Sequence, residues 1–64
     1  MYNRSTIIQF IKQHVSEECL FMMVEDTKED EGDYNQEPNS DARIEWLLNR
    51  YGEEQTAKIV GMFE

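Results

Sequence analysis

Two groupings of residues are of a type that does chemistry. The first is acidic. Carboxylates and a glycine between Asp26 and Pro38 invite comparison with a calcium loop. Such a loop needs Asp first, Asp or Asn at positions three and five, Gly at six and a bidentate Glu at twelve. Counting from Asp26 places Glu31 at six. Counting from Thr27 places Gly32 correctly, but Thr27 then stands first and Pro38 last. Both end ligands are lost in that register, so a solvated charge run is expected instead. The second grouping is His14 with Cys19, the only histidine and cysteine in the chain. A structural zinc takes four ligands, and no spacing here supplies the other two. A Cys–His nucleophile would need a pocket and an oxyanion-hole loop, and neither is evident. His14 is expected to be a half-exposed helix residue and Cys19 a small core residue. No catalytic, cofactor-binding or metal-binding residue is expected, and the chain is read as non-enzymatic.

The elements that would carry these residues are set by how charge is distributed. The chain has 64 residues, 14 acids, six bases and a net charge of −8. Residues 25–41 hold eight acids and one base, Lys28, and only Tyr34 is apolar among them. The remaining residues hold six acids and five bases, so they are near neutral. A stretch this polar buries too little surface to offset its ordering entropy. A flexible acidic loop is therefore expected over residues 27–40, with Glu29, Asp30, Glu31 and Asp33 as its acidic surface.

The flanking segments read as helices. From about residue 3 to 26, Ile7, Ile8, Ile11, Val15, Cys19 and Met22 follow three- and four-residue spacings, which stack on one helical face. Ser5 is the expected cap. Ser16-Glu17-Glu18 has the form of a second start, a cap followed by acids at the positive end of the helix dipole. A bend or a junction of two helices is expected near His14–Ser16. A strand over Cys19–Val24 ranks below helix, because a lone strand lacks a partner. Residues 41–63 read as a helical pair. Ser40 or Asp41 caps it; Ile44, Leu47, Leu48 and Tyr51 face inward, with Trp46 on the flank. Gly52 ends the first member. Glu53-Glu54 begin the second, where Ala57, Val60 and Phe63 point inward. The expected fold is one all-α domain over residues 1–64, a bundle of three to four helices with a long acidic loop.

Self-association is expected from the run Cys19–Val24, six consecutive apolar residues. Side chains on a helix advance by about 100° each, so such a run faces every direction. A chain this short covers few of them. A homodimer is expected, with Ile8, Ile11, Val15, Leu20, Phe21, Met22 and Met23 as its interface. The same run is far below the roughly twenty apolar residues that a membrane span needs. Residues 1–6 lack the charge and apolar pattern of a secretory signal. One unpaired thiol fits a reducing compartment, so a cytoplasmic protein without membrane contact is expected.

Residues Asn49–Phe63 resemble the first half of a helix-turn-helix of the phage repressor and Cro type. The resemblance rests on the aromatic–glycine pair Tyr51-Gly52, the small residue Ala57, the apolar Val60, the turn glycine Gly61 and the apolar Met62. It implies two closely crossing helices. The family's recognition helix would fall beyond Glu64, so no major-groove reading is expected of these residues. Size and acidity together look like the small early-region proteins of lambda-like phages. That likeness implies an accessory factor acting by protein–protein contacts on a host or phage protein. A DNA mimic that blocks a DNA-binding protein is the alternative.

Direct nucleic-acid binding is not expected. It requires clustered Lys and Arg to neutralise phosphates, and the six bases stand singly among 14 acids. Titration into duplex DNA at low salt, where electrostatic affinity is greatest, should give no complex at micromolar protein. A salt-sensitive complex would contradict the charge reading.

Overall fold

Asparagine and serine caps divide the chain into helices. The computed structural model describes residues 3–62. It holds α1 (Arg4–His14), α2 (Glu17–Asp30) and α3 (Ser40–Ile59), and no strand among the described residues. The Asn3 side chain, in place of the expected Ser5, accepts from Thr6 N at 2.8 Å to start α1. At Val15 the backbone turns extended (φ −112°, ψ 122°). Ser16 then caps α2 by accepting from Cys19 N at 3.1 Å. Glu17 and Glu18 follow in its first turn, where they meet the positive end of the dipole. Asn39, in place of Ser40 or Asp41, starts α3 by accepting from Ala42 N at 2.9 Å.

The junction at Val15–Ser16 resets the helical phase. Ile7 and Ile11 are the buried residues of α1, and Leu20, Val24 and Lys28 those of α2. Cys19 and Met22, expected on the face of Ile7 and Ile11, are exposed, Met22 by 55%. The 3–26 segment is two helices, and its periodicity cannot be carried across the junction. Residues 27–30, expected in the loop, are also helical. Glu, Asp, Thr and Lys tolerate a helix well enough where a buried stripe supports it. The stop comes at Gly32, whose φ of +78° suits glycine. Gly32 N donates to Glu29 O at 3.0 Å and Asp33 N to Lys28 O at 2.8 Å, the paired bonds of a Schellman cap.

α3 is broken at Gly52 (φ 83°, ψ 171°), as the sequence leads one to expect. Across the break the Thr56 hydroxyl, itself fully buried, donates to Leu47 O at 3.2 Å and so has its partner. Ile44, Leu47 and Leu48 are buried, Tyr51 and Trp46 half-buried, Ala57 fully buried and Val60 half-buried. Phe63 lies outside the described residues.

Helices α1 and α2 each pack on α3 and not on each other. Arg4 pairs with Glu45 and Lys12 with Asp41, so α1 runs antiparallel to α3. Glu17 accepts from Ser40 and Glu31 pairs with Arg50, so α2 runs parallel to it. One core closes within the chain: Ile7, Ile11, Leu20, Val24, Ile44, Leu47, Leu48 and Ala57. The radius of gyration is 11.1 Å, close to the about 10.7 Å expected of a compact chain of this length.

Gly52 occupies a backbone region that side chains avoid, although a Cβ there would meet open space. Gly52→Ala should therefore cost about 1–3 kcal/mol by backbone strain alone. Thermal unfolding followed by circular dichroism reads this as a lowered midpoint. An unchanged midpoint would mean that the break at Gly52 is not held.

Candidate functional site

Lys28 lies one helical turn beyond Val24, on the stripe that also holds Leu20. Its position sends its stem into the protein, and its side chain is only 6% exposed. A buried ammonium is costly unless it is paired and hydrogen-bonded. Nζ donates to Asn35 O at 2.6 Å and to Glu37 Oε2 at 2.7 Å. Asp33 Oδ2 stands 4.0 Å away, and the Trp46 ring centroid 5.3 Å away. Three residues of the 31–39 connection thus converge on one cation.

Other bonds fasten the same connection. Asp33 Oδ1 accepts from Asn35 N at 2.9 Å. Gln36 Nε2 donates to Phe21 O at 3.4 Å, and Gln36 Oε1 accepts from Arg43 Nε at 3.2 Å. The Arg43 guanidinium lies 4.9 Å from the Phe21 ring centroid. Arg50 pairs with Glu31. That hydrogen bond, and then the charge of Glu31, hold the Arg50 guanidinium above its ordinary pKa. The segment expected as a flexible loop is drawn onto α2 and α3 by these contacts.

The expected acidic surface divides accordingly. Glu29 and Asp30 are exposed on α2, whereas Glu31 is paired and Asp33 half-buried beside Lys28. Glu18, Glu25, Asp26, Glu29 and Asp30 form no ion pair among the described residues. Those pairs run Arg4–Glu45, Lys12–Asp41, Lys28–Asp33, Lys28–Glu37 and Arg50–Glu31. Like charges at Glu25/Glu29 and Asp26/Asp30 sit one turn apart and repel by a few tenths of a kcal/mol, about 0.2–0.5 each. Helix α2 therefore presents carboxylates at fixed spacing on its outer side, with Met22 among them.

The expected interface residues do not form one surface. Ile11 and Leu20 are 1% and 2% exposed and belong to the chain's own core, because each lies on its helix's α3-facing stripe. Ile8 and Val15 are half-buried against that core. Phe21 and Met23 are half-buried, and Met22 alone of the seven is exposed. His14 is exposed at the end of α1, its ring 4.7 Å from that of Phe10. No helix among the described residues is long and apolar enough to cross a membrane.

In the 49–63 segment, Ala57 is fully buried and Gly61 has φ +87°. Met62 N donates to Ala57 O at 2.9 Å and Gly61 N to Lys58 O at 3.1 Å, so Gly61 closes the helix with a Schellman cap. No family model, curated protein or solved structure matches the chain.

Lys28→Met keeps an unbranched stem and removes the charge and donors. It should lower stability by about 1.5–3 kcal/mol, the range for losing hydrogen bonds to charged groups. Amide exchange at residues 33–37 should accelerate more than at Ile7 and Ile11. Unchanged stability with unchanged exchange would show that Lys28 does not hold the connection.

Proposed function

We propose that this chain is a non-enzymatic interaction module that engages a basic surface of another protein through the outer face of α2. One observation carries the reading: besides Glu17, which accepts from Ser40, five carboxylates of a single helix of about 21 Å form no ion pair among the described residues. Arg4, Lys12, Lys28 and Arg50 each pair with a carboxylate of the same chain. Such a field steers a cationic partner and repels anionic ones. Met22 adds an adaptable apolar contact inside the charged face. An accessory factor of the lambda-like phage type, acting on a host protein in a reducing cytoplasm, would work in this way. Self-association would use Phe21, Met22 and Met23, since Ile11 and Leu20 are committed to the core.

Mimicry of DNA is the second reading, and the placement of Glu25, Asp26, Glu29 and Asp30 on a helix favours it. Carboxylates that imitate phosphates need a fixed spacing, which a helix provides and a mobile loop does not.

The test is affinity capture from a bacterial lysate by the immobilised full chain, with identification of what is retained. The control is Glu25→Gln/Asp26→Asn/Glu29→Gln/Asp30→Asn, which should fold at least as stably because like charges are removed. A basic protein should be retained by the parent chain, released by salt, and retained at least about tenfold less by the variant. Displacement by added duplex DNA would select the mimicry reading. Equal retention by both chains would overturn the proposal.

A further inference from the structure

The connection held by Lys28 leaves a cleft of ≈150 Å³ against α2. Glu25 and Glu29, one turn apart on α2, line it together with Asp33, Tyr34 and the Lys28 stem. Glu25 and Glu29 have no ion-pair partner among the described residues. Tyr34 is 79% exposed, the most exposed of the large apolar residues described. It is also the one apolar residue of the whole acidic stretch. The cleft thus joins an uncovered aromatic ring to uncommitted carboxylates. The only cation lining it among the described residues, Lys28, already donates to Asn35 O and Glu37.

We propose that this cleft is a socket for one arginine side chain of the basic partner. The inference rests on the preceding reading that the partner is basic, and it names the side chain and its seat. A guanidinium offers a planar fork of donors that two neighbouring carboxylates accept, and it stacks on aromatic faces. Lysine brings a compact point charge without the planar fork that two carboxylates accept together. Glu25, Glu29 and Tyr34 would bind the guest directly. Lys28 is a positioning residue that holds Asp33 and Tyr34 beside α2.

The experiment is a nitrogen-15 NMR titration of the full chain with N-acetyl-arginine methylamide, and with its citrulline counterpart, which keeps the shape and loses the charge. Arginine should shift the amides of Glu25, Glu29 and residues 33–36 and saturate in the millimolar range, whereas citrulline should not. Tyr34→Ala should retain the fold, since the ring is exposed, and weaken binding about two- to fivefold, the range for an exposed cation–π contact. Glu25→Gln/Glu29→Gln should abolish the local shifts. Equal shifts at Glu18, Glu53 and Glu54, equal binding of citrulline, or no effect of Tyr34→Ala would each overturn the socket. If the probe ignores the cleft while capture still needs the α2 carboxylates, the socket falls and the interaction reading stands. If the probe seats while capture ignores those carboxylates, the socket stands and that reading falls.

Discussion

The buried ammonium of Lys28 is the constraint from which the rest follows. Its stem completes the stripe of Leu20 and Val24, so it favours continuing α2 to Asp30. Its charge cannot remain unpaired at that depth. Asn35 and Glu37 therefore come to it, and the connection between α2 and α3 is pulled across the bundle. This sets where Asn39 caps α3 and how α3 lies parallel to α2. Glu18, Glu25, Asp26, Glu29 and Asp30 of α2 are left without an ion pair among the described residues.

The charge arrangement has a consequence for what the molecule can do. Arg4, Lys12, Lys28 and Arg50 each engage a carboxylate of the same chain. The surplus of negative charge is thereby concentrated on one helix. A uniform acidic surface would repel anions without selecting among cationic partners. A helix with carboxylates at fixed intervals, a methionine between them and an aromatic-rimmed cleft at one end has features that can be matched in shape as well as charge.

Much of the fold is legible in the residues. The Ile44, Leu47 and Leu48 face, the break at Gly52 and the burial of Ala57 follow from helical spacing and glycine placement. The cap at Ser16 is visible too, but its consequence is easily underestimated. A junction costs no hydrophobic residues, so the i, i+4 spacing continues through it unbroken, and Cys19 and Met22 are assigned inward. The end of α2 is hidden for a different reason. Residues 27–30 are polar, and composition alone argues for a loop; tertiary support from one long side chain overrides it. The signal for Lys28 was present as the lone base of the acidic stretch, placed four residues after Val24 and eight after Leu20. Reading it requires treating lysine as a residue whose stem can be buried. The carboxylates of α2 were legible as a charge run. Their regular spacing was not, because it depends on where the helix stops.

The most direct test is the state of the Lys28 ammonium itself. Nitrogen-15 NMR of the lysine side chains at low temperature separates protected ammonium groups from those exchanging freely with water. Lys28 should give a resolved, slowly exchanging signal, with through-space contacts to Asn35 and Glu37. Lys12, on the surface, should exchange rapidly. A Lys28 ammonium that exchanges as fast as that of Lys12 and shows no contact to residues 35–37 would contradict the account.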